Sequence, residues 1–255
     1  NVISINGNSI TKDKTLRSKL SIEPGDYLNK YKLKKSQEDL SKLKYVNSVK
    51  VSEIENDSLT DIEFKIDENT KTGNFLLGGN FSGDTGIGFG LGLKDYNILG
   101  SGNEIDLSIN VNAEKSLYSL KYSQYDLLNS NLINTYSLFN QESDLSSSFG
   151  FKTRNQGFGY NLSYSANESL SFSLGAEYEA IEGHSASNNN SYITDNISNF
   201  DQIVFNFIIN KNTTNNFLYP TDGYHNRLSL KISPEEISDD SYYRALLSSK
   251  IYKKF

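Results

Sequence analysis

The spacing of apolar residues changes once along the chain. Over residues 1 to about 70 helical and strand periods are mixed. Val2, Ile3 and Ile5 read as a short strand ended by Gly7-Asn8. Thr11 stands where a helix cap would, ahead of Asp13, Leu16 and Leu20, and Pro24-Gly25-Asp26 breaks that helix. A second helix fits 29 to 43, with Leu33, Leu40 and Leu43 on one stripe and Lys30, Lys34, Lys35 and Lys42 mostly on the solvated side. Two strands, 46 to 54 and 59 to 66, follow, joined by the turn-forming cluster Asn56-Asp57-Ser58. The predicted order is β-α-α-β-β.

From about Gly73 onward the period is two. Glu104-Ile105-Asp106-Leu107-Ser108-Ile109-Asn110-Val111-Asn112 alternates without a fault, as do residues 158 to 164 and 170 to 178. Ten such segments are legible, near 74–83, 86–96, 103–113, 115–127, 131–142, 157–166, 169–182, 200–212, 224–233 and 241–252. That is roughly 18 residues per strand and connection, which suits membrane strands of ~9–11 residues. The connections 99 to 102 and 167 to 169 read as tight, whereas 143 to 156, 183 to 199 and 235 to 240 read as longer loops at the other end. A soluble sandwich would alternate too, with its polar faces outward. Tyr118, Tyr122, Tyr160, Tyr164 and Tyr178 on the apolar faces, expected near strand ends, favour a barrel with an aromatic girdle.

Composition changes the picture in three places. Apolar residues are 36% of the chain, and counting the 18 Gly instead of the 17 Tyr leaves that share nearly unchanged. Ordinary globular domains reach ~45–50%, so a thick core is not expected. Yet 12% aromatics with only 3 Pro argue for a folded chain. The formal net charge of −6 argues against a nucleic-acid partner. There is no Cys, which removes disulfides, thiolate catalysis and thiolate metal ligation. The chain begins at Asn1 and contains no Met, so a processed protein or a piece of one is expected, with no signal peptide in view. The strongest apolar run, 202 to 209, is broken by amides and is no membrane helix.

Candidate chemistry is sparse. The glycine run 78 to 92 fails the dinucleotide spacing, because counting three residues on from Gly86-Gly88, Gly88-Gly90 and Gly90-Gly92 lands on Leu91, Leu93 and Asp95. Gly at every second position, with Ile87, Phe89, Leu91 and Leu93 between, reads as a strand with one bare face. His184 falls in a long polar segment and His225 just after a tight turn, so they are expected at opposite ends of the barrel with no shared dyad. A ten-stranded outer-membrane hydrolase is therefore the weaker alternative. No catalytic residue, metal site or cofactor is expected.

Two stretches resemble known sequences. Residues 1 to 8, followed by Thr11, Asp13, Leu16, Arg17, Pro24-Gly25-Asp26 and 45 to 51, resemble a POTRA (polypeptide-transport-associated) domain. Gly73-Asn74-Phe75, Leu77-Gly78-Gly79, Phe81-Ser82, 86 to 89 and 97 to 102 resemble the barrel start of the BamA family of outer-membrane protein assembly factors, and Tyr219-Pro220-Thr221-Asp222-Gly223 is similar to a periplasmic turn of that family. The resemblance implies a POTRA domain over 1–70, in the periplasm, followed over 71–255 by the N-terminal part of an antiparallel transmembrane β-barrel in the outer membrane. It implies insertion of client barrels by pairing at the first barrel strand, Asn74, Phe75, Leu76, Leu77, Gly78, Gly79, Asn80 and Phe81, which carries no charge. Implied partners are nascent outer-membrane β-barrel proteins, accessory assembly lipoproteins and outer-membrane lipid. The POTRA domain has its own edge at Val49, Val51 and Ile54 that could dock a peptide or an accessory lipoprotein, and its lysine-rich helix could face anionic headgroups, although such an edge and such a helix face are more often simply solvated. A POTRA-barrel secretion channel of the same superfamily is the main alternative. Family barrels have roughly sixteen strands. Ten segments, and Lys253 where an apolar residue would precede a terminal aromatic, lead us to expect a cut through a larger barrel.

Overall fold

The computed structural model describes residues 2–56, 59–83, 86–125, 131–185, 199–216 and 219–253. Two compact units result: Asn1–Phe75 with Leu93–Ile105, and Leu76–Gly92 with Asp106–Phe255.

The first unit contains a three-stranded sheet in the order β1-β3-β2, from β1 (Ile3–Asn6), β2 (Val46–Asn56) and β3 (Leu59–Glu68). β1 runs parallel to β3, pairing Ile3 with Ile62 and Ile5 with Phe64, and β2 runs antiparallel to it. Helices α1 (Asp13–Arg17) and α2 (Lys30–Ser41) complete the β-α-α-β-β order. α2 begins where expected because the Asn29 side chain accepts the N–H groups of Tyr31 and Lys32 at 3.0 and 3.2 Å. The hydrophobic core joins Leu33 and Leu40 of α2 to Leu16, Ile22, Ile62, Phe64 and Ile66. The expected turn at Asp57-Ser58 lies outside the described residues.

Thr11 does not cap α1. The cap position is Lys12, with no side-chain cap bond, and the Thr11 hydroxyl binds Glu68. The helix is also shorter than its pattern suggested, ending at Arg17. Glu68 is a buried carboxylate that also accepts the N–H groups of Ser9, Ile10 and Thr11 at 2.7, 2.8 and 2.7 Å. Burial pushes its pKa up, but the Thr11 hydroxyl and the three backbone N–H groups outweigh it, so the net direction is down.

The second sheet has ten strands among the described residues, all neighbours in sequence: β4 (Gly73–Ser82), β5 (Gly86–Asp95), β6 (Glu104–Val111), β7 (Lys115–Tyr125), β8 (Leu132–Leu145), β9 (Phe151–Asn167), β10 (Leu170–Ser185), β11 (Phe200–Asn212), β12 (Gly223–Ser233) and β13 (Tyr242–Tyr252). The expected count and order are met. Among the described residues β4 lies at one edge of the sheet and β13 at the other.

Register decides what the alternation builds. Leu162, Leu174, Phe207, Leu230 and Ala245 fall opposite one another across five strands, and the row beside them is Tyr122, Tyr136, Tyr160, Ala176, Phe205, Ile232 and Tyr243. One face is thus apolar row upon row. From Leu170 to Ala180 the band is about 33 Å along β10, which at a strand tilt of ~35–45° is about 25 Å in height, the size of a barrel's lipid-facing belt. The opposite face is polar: Ser163 and Ser173 hydroxyls meet at 2.8 Å, and Gln202 Nε2 donates to Glu179 at 2.9 Å. Asn134 stands on the apolar face, buried, with its Oδ1 accepting the Tyr160 hydroxyl at 2.9 Å. Tyr160 is therefore mid-strand, not near a strand end as the alternation had suggested.

The expected contrast between a tight end and a loop end is weaker than read. β8 and β9 extend through most of 143 to 156, leaving one helical turn, α3 (Ser146–Phe149), between them. Short connections also occur at that end, between β4 and β5 and between β6 and β7.

Candidate functional site

β4 is the candidate pairing edge. Its inner side is hydrogen-bonded to β5, and its outer side meets no strand among the described residues. Side chains from Asn74 to Phe81 are exposed along the whole strand, and Phe81 reaches 79%. Phe75, Leu77 and Phe81 share one face with Gly79, while Asn74, Leu76, Gly78 and Asn80 share the other. The glycine strip of β5 is overlain by these neighbours: a Cβ on Gly88 would run into the Asn80 side chain, and one on Gly92 would lie 3.5 Å from Leu76 Cβ. Asn110 Oδ1 similarly covers Gly90 at 3.0 Å. The bare face seen in sequence is therefore shared with Asn side chains of the adjacent strands. These strands line a cavity of about 690 Å³, with Gly78, Gly90, Asn110 and Asn112 on its wall.

The POTRA-type edge is less open than expected. β2 does form the edge of its sheet, but Val49 is buried in the core and its carbonyl accepts Gln37 Nε2 at 2.8 Å. Val51 packs against the same core, and Ile54 is exposed.

Tyr219-Pro220-Thr221-Asp222-Gly223 is held by a residue that the sequence reading missed. Asn215 Oδ1 accepts the N–H groups of Thr221 and Asp222 at 3.0 and 3.1 Å, and its Nδ2 donates to Thr221 Oγ1 at 2.8 Å. The signal available was an Asn a few residues ahead of a turn, an amide able to mimic a backbone partner.

The two histidines lie apart. His184 pairs with Lys152 near the end of β10, whereas His225 pairs with Asn212 at the start of β12, level with the opposite end of β10, and its Nε2 contacts Asn210 Oδ1 at 2.7 Å. Among the described residues no group of three His, Asp or Glu could hold a metal ion, and no helix is long and apolar enough to cross a membrane.

Comparison with known proteins agrees with this layout. Residues 1–69 match the POTRA family model described as "Surface antigen variable number repeat", and 97–255 match the Omp85 superfamily domain. Outer membrane protein assembly factor BamA of Buchnera aphidicola is 34% identical over 110 residues, 42% of this chain and 18% of that protein. The crystal structure of Haemophilus ducreyi BamA lacking POTRA domains 1–3 superposes with a TM-score of 0.80 at 22% identity, over 96% of this chain and 50% of that one. CdiB from Acinetobacter baumannii superposes with a TM-score of 0.61 at 15% identity, over 98% of this chain and 48% of that one. The chain thus spans less than a fifth of the curated relative and about half of each solved structure. A POTRA domain followed by ten antiparallel strands of a transmembrane barrel, matched by the superfamily model over most of its length, makes this chain a member of the Omp85 superfamily.

Proposed function

We propose that the chain acts in the assembly of outer-membrane β-barrel proteins, taking up client strands at β4. The observation that carries this reading is an uncharged, exposed strand, Asn74 to Phe81, at the edge of a sheet whose apolar rows suit lipid. In a bilayer an unpaired backbone N–H or C=O costs several kcal/mol, so a client strand gains most where an edge supplies partners. Such pairing needs no side-chain code, which suits clients of varied sequence. Gly78 and Gly79 weaken packing along β4 and ease its exchange of partners. Likeness to a named assembly factor supports the same reading.

In this reading residues 1–70 form a periplasmic POTRA domain and 71–255 the membrane part. Client barrels pair at β4, and an accessory lipoprotein or client peptide adds at the exposed part of β2 near Ile54. The turn around Tyr219 to Gly223 faces the periplasm. The chemistry is strand exchange without catalysis.

Photoreactive residues at Phe75 and Leu77 of the full-length protein, tested during client insertion into lipid vesicles without nucleotide, are expected to crosslink a client barrel. A control at Leu174 is expected to give none. Uniform failure along β4 would sink the proposal, and export of the client without insertion would favour the secretion-channel alternative.

A further inference from the structure

A polar cluster in the first unit serves neither the hydrophobic core nor the strand edge. It centres on the Glu68 carboxylate, which accepts the Ser9 hydroxyl at 3.1 Å and the Thr11 hydroxyl besides the three backbone N–H groups. With its proton committed to Glu68, the Thr11 oxygen has only lone pairs to offer. It accepts Asn97 Nδ2 at 2.8 Å. Asn97 is 2% exposed and its Oδ1 accepts the Gly102 N–H at 2.7 Å. The charge of Glu68 therefore sets the polarity of each bond in the relay: a reversed Asn97 amide would face the Gly102 N–H with its own donors.

The same turn is engaged through its backbone. The Lys12 N–H donates to the Gly100 carbonyl at 2.9 Å. Gly100 and Gly102 have φ of 69° and 71°, which glycine adopts readily. A Cβ on Gly100 would run into the Ile10 carbonyl, and one on Gly102 would lie 2.7 Å from Thr15 Cγ2 and 2.8 Å from the Tyr45 hydroxyl. Lys44 Nζ stands 4.0 Å over the Tyr96 ring beside the turn. Glycine, amide and hydroxyl are each required by a different contact at one place.

We propose that Glu68 and Thr11 are positioning residues: they lock the 97 to 103 turn onto the 8 to 12 loop and so limit how far the first strands of the large sheet yield during client entry. The effect on client entry rests on the assembly function proposed above, whereas the lock itself does not. Client pairing at β4 requires movement of that edge, and β5 and β6 leave from the locked turn.

The test uses the full chain in lipid vesicles and reads amide hydrogen exchange and client insertion together. Thr11→Val keeps the shape and removes the hydroxyl, Thr11→Ser restores it, and Asn97→Ala breaks the lock from the turn side, away from the core. Thr11→Val and Asn97→Ala are expected to speed exchange of the Lys12 and Gly102 amides at least about tenfold while Ile62 and Phe64 stay protected, with Thr11→Ser within about twofold of the native chain. Insertion of a small outer-membrane barrel client is expected to change at least about threefold in the Val variant and to return in the Ser variant. Unchanged exchange at Lys12 and Gly102 overturns the lock. An equal rise at Ile62 and Phe64 does so too, because Thr11 would then merely be part of the fold. Faster exchange with unchanged insertion overturns the positioning role. Failure of the native chain to insert any client overturns the assembly reading, and the exchange data still decide the lock.

Discussion

Phe64 and Leu174 both sit on strands that alternate apolar and polar residues, yet Phe64 is 0% exposed and Leu174 is 58% exposed. The difference lies in what faces them. In the first unit α2 lays Leu33 and Leu40 against the sheet, so alternation there produces an enclosed core running from Ile3 to Ile66. On the ten-stranded sheet Val204 is the only buried hydrophobic among the described residues, and Leu138, Leu174 and Phe205 of the apolar rows are exposed. The same local grammar thus serves two solvents: one sheet hides its apolar face from water, the other presents it to lipid.

This contrast can be broken by substitution. Phe64→Ala should cost about 3–5 kcal/mol, read as loss of amide protection across β1 to β3, whereas Leu174→Ala should cost under about 1 kcal/mol in lipid. Equal losses would refute the division between core and belt. Next in size, Leu174→Arg should cost about 2–4 kcal/mol in vesicle-folded protein, and Ser173→Arg on the opposite face clearly less. If the arginine is tolerated equally on both faces, the lipid-facing assignment fails.

Titration sharpens the same comparison at two buried groups of the first unit, Tyr45 and Glu68. Burial, aided by the nearby Glu68 charge, pushes the Tyr45 hydroxyl up to about 12. A raised folded pKa gives stability present below the ordinary tyrosine range and lost as pH rises through about 12. A rise of that size corresponds to on the order of 2–3 kcal/mol, so the first unit should loosen between about pH 10 and 12 while the β8 to β11 amides hold. Tyr45→Phe should remove that alkaline transition. Glu68 works in the other direction. Its lowered pKa gives stability present above the ordinary glutamate range and lost as pH falls through the depressed value. Acid should therefore release the Ser9 to Thr11 amides first, and Glu68→Gln should flatten that dependence. A smaller effect within the first unit is at the α2 cap, where Asn29→Ala should cost about 1 kcal/mol in urea unfolding and leave the large sheet unchanged.

Much of this fold could be read residue by residue. Ten strands were legible because period two needs no partner to be seen, and α2 because Asn29 caps it within three residues. Thr11 was misread for the opposite reason. Its local setting is that of a cap, but the carboxylate that claims its hydroxyl is 57 residues away. The 219 to 223 turn is legible from Pro220 and Gly223, whereas the only trace of Asn215, which holds it, is an amide a few residues ahead of that turn. Tyr160 was placed near a strand end because the alternating run was shorter than the strand, β9, that contains it.

The sequence by itself determined where strands and helices form, which face of each strand is apolar, and that no charge interrupts Asn74 to Phe81. Those properties depend on neighbours one to four residues apart. Tertiary structure alone decided that β4 lies at an edge, that Leu162, Leu174 and Phe207 align into a row, that Gln37 occupies the Val49 carbonyl, and that Glu68, Thr11 and Asn97 meet. Register and edge position are relations between distant segments, and hydrogen bonding over short distances leaves no periodic trace in the chain that makes it.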